Sequence, residues 1–516
     1  MYSACVQVIP AGPLKAASIL LAAFFCDLTK PTLTLPEISS EWQTGLSLSW
    51  TAYIAVLSIW IVLQKREPVS TLSWILALSA LPFVGFVIYY FLGPQRLRKQ
   101  RMRRLRNQAG IHANADFARL RDVTESAPPE LRQMAALGEA SCGIPVSSAV
   151  RVDFLSGGAR TFDAIFEAVR QARHHVHLEY YIFADDKIGT ALSELLIERA
   201  RAGVRVRLLI DALGGKRLGS PFMTRMRDAG VQTLLFHATR VGRRLRPVTN
   251  YRTHRKIVVC DGRVGFTGGV NITDDEDKRT RLGAYHDAHL RIEGSAVRWL
   301  QTTFLEDWIY AAGDDSPEAE DVRDTLEPLL PRVDAGTIPV QIVSSGPDTP
   351  LEPIHRMVVA AINGATERVW LTTPYFVPTE AALLALTSAA LRGADVRLLV
   401  PRRSDSFIVT LAARSYYDIL LAAGVKVWEY EARMLHSKTL VVDDDCAIIG
   451  TANFDNRSFR LNYEVCAVVY GNALADPLAA QFITDLESAL QVVHQHRRNF
   501  FSRLGEALAR VCSPLL

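Results

Sequence analysis

The sequence lacks any clustering of its cysteines. The seven cysteines are odd in number and scattered over 516 residues, with no Cys-x-x-Cys pair and no Cys/His cluster. A disulfide framework needs paired cysteines and a structural zinc site needs closely spaced ligands, so neither is predicted. We therefore expect the protein to work in a reducing compartment.

A net positive charge is missing from most of the chain. The formal net charge is +4, but residues 95–108 alone carry seven Lys/Arg and no acidic residue. Removing those seven charges leaves a net charge of −3 for the remainder. A generally basic surface that would coat nucleic acid is therefore not expected.

Charge of either sign is absent from two apolar runs near the N-terminus, residues 42–64 and 68–95. A helix rises about 1.5 Å per residue, so either run is long enough to cross a hydrocarbon layer of roughly 30 Å. We predict a transmembrane helical hairpin over residues 42–94, after an N-terminal extension (1–41) whose role the sequence leaves open. The basic juxtamembrane linker, residues 95–148, places that end in the cytoplasm by the positive-inside rule.

The rest of the chain is an internal repeat of strand-like and helix-like segments, which predicts an α/β fold. VHLEYYIF (176–183) resembles VWLTTPYF (369–376), and RAGVRVRLLID (201–211) resembles LRGADVRLLVP (391–401). We predict two α/β domains related by a pseudo-two-fold axis, so that their equivalent motifs meet at one interface. The predicted segments are domain one (149–313), a linker (314–339), domain two (340–495) and a C-terminal tail (496–516).

Each half contains one copy of the motif H-x-K-x-x-x-x-D, as HRKIVVCD and HSKTLVVD. An asparagine follows each histidine after 17 residues, within GGVN and GTAN. Two copies at equivalent places in a repeat make coincidence negligible. The motif residues are His254, Lys256, Asp261 and Asn271 in the first half, and His436, Lys438, Asp443 and Asn453 in the second.

The residue types of this motif suit phosphodiester chemistry. Residues i and i+2 of a strand share a face, so each histidine is expected to point with its lysine. One neutral imidazole can attack phosphorus, and the other can protonate the leaving alkoxide and later activate the incoming hydroxyl. The lysines and asparagines would stabilise the phosphate oxygens, and no divalent metal or other cofactor is required. The two aspartates end their strands, which favours a bracing role over contact with phosphate.

The paired motifs resemble those of the phospholipase D superfamily and, more narrowly, of bacterial cardiolipin synthases with two transmembrane helices. The resemblance covers about residues 45–495. The narrower likeness rests on the hairpin sequence SWILALSALPFVGFVIYYFLGP together with HLEYYIFADDKIG, NYRTHRKIVVCDG, GGVNITDD, HDAHLRIEG, TTPYFVP and NFDNRSFRLNYE.

The resemblance implies two phospholipase D-like domains that join two phosphatidylglycerol molecules into cardiolipin and glycerol through a phosphohistidine. It implies His254 as nucleophile and His436 as general acid and base, although the sequence symmetry itself does not separate these roles. It also implies an acidic residue after each motif, Asp287 and Glu464, that orients that motif's histidine. The implied setting is the bacterial cytoplasmic membrane, as a multi-pass protein with cytoplasmic catalytic domains and anionic lipids as partners.

Three other functions remain open at this point. The same chemistry would serve another donor or acceptor, such as phosphatidylethanolamine, or water in a hydrolytic phospholipase D. A nuclease of the superfamily is disfavoured by the apolar hairpin and the mildly acidic remainder. A non-catalytic membrane scaffold is disfavoured by the two intact motifs.

Overall fold

The computed structural model describes residues 40–63, 68–80, 131–237, 251–333, 335–349, 351–493, 499–511 and 513. The chain divides into two compact units, Met1–Gly93 and Pro94–Leu516. Most of the N-terminal extension and the basic segment 95–108 lie outside the described residues.

The described residues of the first unit form two helices, α1 (Ser40–Val62) and α2 (Pro68–Ala80). They pack through the buried side chains of Ile61 and Leu78. Among the residues that the structure describes, no helix combines the length and apolarity needed to span a membrane. The predicted transmembrane hairpin is thus not confirmed, and residues 81–94 of its second run lie outside the described part of the chain.

The second unit contains the two halves of the internal repeat, which are joined in the chain by the segment predicted as a linker. Its first-half elements are α3 (Arg132–Cys142), β1 (Ser147–Ala149), β2 (Arg151–Ser156), α4 (Gly158–Gln171), β3 (His175–Tyr180), α5 (Lys187–Arg201), β4 (Arg205–Asp211), α6 (Ser220–Asp228), β5 (Gln232–Phe236), β6 (Ile257–Cys260), β7 (Val264–Gly268), β8 (Ala288–Glu293) and α7 (Val297–Ala312). Between the halves, residues predicted as a linker include α8 (Pro317–Asp324) and α9 (Leu326–Leu329).

The second half repeats this order and adds a C-terminal helix. Its elements are β9 (Ile338–Ser345), α10 (Pro353–Gly364), β10 (Arg368–Thr372), β11 (Phe376–Val377), α11 (Glu380–Leu391), β12 (Asp395–Pro401), α12 (Phe407–Arg414), α13 (Tyr417–Ala422), β13 (Lys426–Tyr430), β14 (Thr439–Val442), β15 (Cys446–Gly450), β16 (Phe454–Asp455), α14 (Asn456–Arg460), β17 (Glu464–Tyr470), α15 (Asn472–Leu486), β18 (Ala489–Gln491) and α16 (Phe500–Val511).

The two main sheets have the same topology, so the predicted repeat is confirmed. The first sheet has the order β2-β8-β7-β6-β3-β4-β5, and the second contains the equivalent order β9-β17-β15-β14-β10-β12-β13 with β1 and β18 added at its edges. In each sheet three consecutive strands are parallel, β3-β4-β5 and β10-β12-β13. The remaining pairs are antiparallel.

A shared hydrophobic core lies between the two sheets. Ile257 and Val259 of β6 belong to this core, as do Val441 of β14 and the tryptophans Trp299 and Trp308 of α7. The alternate residues of β6, Val258 and Cys260, belong to a separate core on the outer face of the first sheet. Both faces of each sheet are therefore covered, which explains why the strands are nearly continuous apolar runs.

The motif aspartates lie at the far ends of β6 and β14, away from the motif histidines. Asp261 and Asp443 both have positive φ, +54° and +49°. The Asp261 carboxylate accepts the backbone N–H groups of residues 173–175 at 2.8–2.9 Å, just ahead of β3. Asp443 accepts those of residues 366–368 in the same way, ahead of β10. Both aspartates therefore brace the entry to the neighbouring strand, and the geometry does not support a catalytic role for them.

We predict that Asp443→Ala destabilises the fold without changing the chemistry. The substitution leaves three N–H groups without their acceptor, which costs about 1–3 kcal/mol in the free energy of unfolding. The thermal unfolding midpoint should fall, while kcat of the folded fraction stays near the parent value. Asp444→Ala is the control, because the neighbouring Asp444 is 71% exposed and forms only a surface ion pair with Arg368. A lost kcat with an unchanged midpoint would contradict the bracing role.

Candidate active site

The two motif histidines lie at the edge of each sheet where the parallel strands end. His254 and Lys256 come just before β6, and His436 and Lys438 just before β14. Thr439, the first residue of β14, pairs with Thr372, the last residue of β10. The expectation that each histidine and lysine lie within a regular strand is therefore wrong, because in both halves the ladder starts after the lysine.

The backbone of each motif is bound to the other domain instead. The N–H of His254 donates to the carbonyl of Tyr463 in domain two at 2.8 Å. The N–H of His436 donates to the carbonyl of His286 in domain one at 2.7 Å. Since these hydrogen bonds replace ladder partners within the motif's own sheet, each histidine is positioned by contact between the domains.

The acidic partners of the histidines are also exchanged between the domains. Nδ1 of His436 lies 2.5 Å from Oδ2 of Asp287, a domain-one residue. Nδ1 of His254 lies 3.2 Å from Oε1 of Glu464, a domain-two residue. The expectation that each acid orients the histidine of its own motif is therefore wrong. Both carboxylates engage Nδ1, which leaves Nε2 of each imidazole for chemistry.

In each half, the residue two positions before the asparagine contacts the acid that lies in the same domain. A Cβ atom at Gly269 would lie 2.0 Å from Oδ1 of Asp287, so only glycine leaves room for this carboxylate. The equivalent residue in the second half is Thr451, whose hydroxyl donates to Oε2 of Glu464 at 2.5 Å. The difference between GGVN and GTAN thus follows from the position of the acid that each turn contacts.

Both motif lysines are buried and share one electrostatic environment. Lys256 Nζ donates to the carbonyl of His254 at 2.9 Å, and Lys438 Nζ donates to that of His436 at 2.5 Å. Burial and the repulsion of Lys438 lower the pKa of Lys256 to about 8. The pKa of Lys438 is also lowered, mainly by burial. Two ammonium groups close enough to affect each other form a site that attracts an anionic group.

The asparagines differ in what they contact. The Asn271 side chain is held on both sides, because its amide donates to Glu276 (3.3 Å) and its oxygen accepts from the N–H of Ile182 (3.3 Å). The Asn453 backbone N–H donates to Ser458 at 3.1 Å. Its side-chain oxygen is buried and has no hydrogen-bond partner among the described residues. The two asparagines are therefore not equivalent in the site.

Burial dominates the protonation of the histidines. Burial and Lys256 lower the pKa of His254 to about 4, against the opposing effect of Glu464. Burial and Lys438 also lower the pKa of His436. Burial would raise the pKa values of Asp287 and Glu464, but the facing histidine, a buried lysine and the hydrogen bonds of each carboxylate together outweigh it, and both pKa values are lowered. A neutral imidazole beside an ionised carboxylate is the state in which Nε2 carries a free electron pair.

The sequence prediction missed Glu276, a buried carboxyl beside His436. Its Oε1 lies 3.9 Å from Nδ1 of His436 and accepts the backbone N–H of Asn271 at 3.1 Å. Burial and the nearby Asp287 raise the pKa of Glu276 to about 8. The available signal was its position five residues after Asn271, where the second half has Ser458.

The prediction also missed Arg255, which lies between the motif residues His254 and Lys256. Its buried guanidinium pairs with Asp307 and donates to the carbonyls of Glu464 and Ser345 in the second domain, both at 3.1 Å. Arg255 therefore binds the first motif to the domain that carries its acid.

One group in the described part of the chain has the donors for a metal ion. The ligand atoms of Glu276, Asp287 and His436 all lie within 4.8 Å of one another. This group was not foreseen from sequence spacing, because its members come from both domains. The charge of Lys438 acts on Glu276 and Asp287, and Nδ1 of His436 already contacts Asp287. The donor set therefore suits an internally compensated charge network better than a cation site.

The repeat and the site match known proteins over nearly the whole chain. A family model described as "Cardiolipin synthase, PLD-like domain" matches residues 165–308 and 358–486, one segment in each half. The chain belongs to the cardiolipin synthase family of phospholipase D-like proteins. A second model, described as "Phospholipase_D-nuclease N-terminal", matches residues 54–94.

Relatives in this family are similar along their full length. The chain is 40% identical to the cardiolipin synthase of Geobacillus sp. (strain WCH70), covering 92% of this chain and 94% of the relative. It is 37% identical to that of Alkalihalophilus pseudofirmus, covering 96% and 98%. The crystal structure of phosphatidylserine synthase from Haemophilus influenzae shares the fold, with a TM-score of 0.56 and 13% identity over 74% of this chain and all of that one.

We predict that kcat/KM for an anionic lipid falls as the pH rises through about 8. Lys256 is protonated below its lowered pKa and loses its charge above it, so an anionic group is held less strongly at higher pH. The measurement is kcat/KM on short-chain phosphatidylglycerol from about pH 6 to about pH 10. Arginine stays charged over this range, so Lys256→Arg should lose the descending limb.

The control for this profile is Lys426→Arg, at a half-exposed lysine on β13. It should keep the parent profile. If the descending limb of the kcat/KM profile is the same in the parent and in Lys256→Arg, a group other than Lys256 causes the titration.

Proposed function

We propose that the protein is a cardiolipin synthase that transfers a phosphatidyl group between two phosphatidylglycerol molecules through a covalent phosphohistidine. The observation that carries the proposal is the pair of exchanged contacts, His254 with Glu464 and His436 with Asp287. They leave two Nε2 atoms in one site that also contains both lysines. The full-length similarity to cardiolipin synthases supports the lipid substrate.

In the first step, Nε2 of His254 attacks the phosphorus of one phosphatidylglycerol. The bond from phosphorus to the headgroup glycerol oxygen breaks, and the protonated His436 donates its proton to that oxygen, so glycerol leaves. The phosphatidyl group remains bound to His254. Glu464 stabilises the positive charge that develops on this imidazole.

In the second step, the headgroup hydroxyl of another phosphatidylglycerol gives its proton to His436 and attacks the same phosphorus. The bond between phosphorus and His254 breaks, and cardiolipin leaves with the histidine restored. Lys256 and Lys438 stabilise the non-bridging oxygens in both steps, together with the side-chain NH₂ group of Asn453.

Two observations support His254 as the nucleophile and His436 as the acid and base. The pKa of His254 is lowered to about 4, so its imidazole is neutral at neutral pH. The contact of His436 with Asp287, at 2.5 Å, is shorter than the 3.2 Å contact of His254 with Glu464, and a closely hydrogen-bonded carboxylate favours the imidazolium form.

We further propose that the first unit anchors the protein in the bacterial cytoplasmic membrane, with the catalytic domains on the cytoplasmic side. The uncharged runs and the basic segment 95–108 support this topology. Several large apolar side chains of the two helices are exposed, among them Leu48, Val56, Ile59, Leu72 and Leu76 at 60–68%. Such side chains are expected to contact lipid.

The proposal is tested by incubating the reconstituted protein with phosphatidylglycerol labelled in the headgroup glycerol and in an acyl chain. We expect one free glycerol for each cardiolipin formed. Phosphatidate as the main product would make the protein a hydrolase, and a mixed product with added phosphatidylethanolamine would identify a different acceptor.

A second test assigns the nucleophile with the same acyl-labelled lipid. His436→Ala should accumulate acyl label on the protein at His254, whereas His254→Ala should give no labelled protein. Label on the His254→Ala protein would overturn the assignment of the nucleophile.

We also predict that EDTA leaves this activity unchanged. The lysines provide the positive charge at the phosphate oxygens, so no divalent ion is needed there. The measurement is cardiolipin formation before and after chelation, with readdition of Mg²⁺ or Ca²⁺. Activity that is lost on chelation and restored by an ion would contradict this mechanism and direct attention to Glu276, Asp287 and His436.

A further inference from the structure

The C-terminal helix α16 exposes a continuous stripe of large apolar side chains. The exposed members are Phe500 (71%), Phe501 (79%), Leu504 (43%), Leu508 (59%) and Val511 (77%). At about 100° per residue, these five positions fall within about 100° of the helix circumference. An isolated exposed leucine needs no explanation, but five large apolar residues on one face do.

The other faces of α16 pack against the second domain. Ala509 and Glu506 are buried, and a Cβ atom at Gly505 would lie 3.7 Å from Leu411 of α12. The guanidinium of Arg510 lies over the ring of Tyr416 at 4.6 Å. The helix is therefore fixed to the second domain by its small and polar residues, and the apolar stripe is left facing outward.

Two more exposed apolar side chains lie on α12, which packs against α16. The first two residues of α12, Phe407 and Ile408, are 75% and 50% exposed. The structure thus has seven large apolar side chains on two adjoining helices. We call these seven residues the apolar patch: Phe407, Ile408, Phe500, Phe501, Leu504, Leu508 and Val511.

The apolar patch lies beside the proposed active site. Asp405, two residues before Phe407, is close enough to Lys438 to influence its pKa, and its carboxylate accepts a hydrogen bond from Tyr375 at 2.7 Å. On the other side, Asn456 donates to the carbonyl of Ser513 at 3.3 Å, just beyond α16. Asn456 follows the site residue Asn453 by three positions, so both helices of the patch connect directly to the loops of the site.

We propose that the apolar patch is a docking surface that inserts into the interfacial layer of an anionic phospholipid bilayer and brings the active site onto the lipid headgroups. The inference rests on the proposed function, since a phosphatidyl donor keeps its acyl chains in the bilayer. A helix that lies in the interface combines an apolar face with basic residues beside it. Arg503 and Arg510 flank the stripe at one edge, and both are exposed.

The position of the patch favours a bilayer over a second copy of this chain. A protein partner on this face would cover the loops at Asp405 and Asn456 that border the site. A bilayer on the same face would instead present the substrate headgroup to them. The basic flank is also complementary to anionic lipid, because basic residues near such a surface are attracted to it.

The first experiment measures insertion without using activity. Phe501→Trp in the full-length protein, reconstituted in phosphatidylglycerol bilayers, should gain fluorescence that brominated lipids quench to about half or less, as expected for an interfacial aromatic. The matched control is Leu391→Trp. Leu391 is 74% exposed and ends α11, so it lies near the start of β12, whereas Asp405 follows the end of that strand. Its added fluorescence should not be quenched.

The second experiment separates docking from chemistry. In Phe500→Ser/Phe501→Ser, kcat/KM on phosphatidylglycerol bilayers should fall roughly fivefold or more, while kcat/KM on monomeric short-chain phosphatidylglycerol stays unchanged. Leu391→Ser should match the parent on both substrates. An equal loss on both substrates would show a structural role and overturn the proposal.

Equal quenching at positions 501 and 391, or none at 501, would also overturn it. Fluorescence at position 501 that depends on protein concentration and not on brominated lipid would identify a second copy as the occupant. If the parent makes no cardiolipin but Phe501→Trp is quenched, the proposed function fails and the docking surface stands.

Discussion

The interaction on which the site depends is the exchange of carboxylates between the two domains. Asp287 of domain one contacts His436 of domain two, and Glu464 of domain two contacts His254 of domain one. A separated domain would hold a histidine without its acid and a buried acid without its histidine. Since an unpaired buried charge is costly, the exchange also favours association of the domains. The shared core between the sheets and the contacts of Arg255 hold them in this arrangement.

Burial then determines how the site is charged. Two lysines, two histidines and three carboxyls occupy a small volume from which water is largely excluded, so each group alters the pKa of its neighbours. The pKa values of Lys256 and Glu276 both move to about 8, from opposite directions. Such opposed shifts are typical of sites that hold and move protons. The same low dielectric strengthens the attraction of the lysines for an anionic phosphate.

Departures from the internal symmetry separate the two halves in function. Glu276 stands beside His436, whereas Ser458 occupies the equivalent position in the second repeat. Gly269 gives room to one acid, and Thr451 donates a hydrogen bond to the other. Among the described residues, the C-terminal helix α16 has no counterpart in the first half, and it contributes the outward apolar face beside the site. The repeated fold therefore holds two histidines in different environments. Lipid is expected to approach the site from one side, where α16 lies.

The sequence by itself determined the repeat, the alternation of strand-like and helix-like segments and the identity of the motif residues, because apolar periodicity and matched spacing are local properties of the chain. It also indicated that the motif aspartates brace the fold, since a strand end before a turn places them away from the histidines. Only the tertiary structure decided that His254 and His436 precede their strands, that their acids are exchanged and that Glu276 joins the site. These contacts link residues up to about two hundred positions apart, and no local pattern specifies which domain supplies a partner when both carry the same motif.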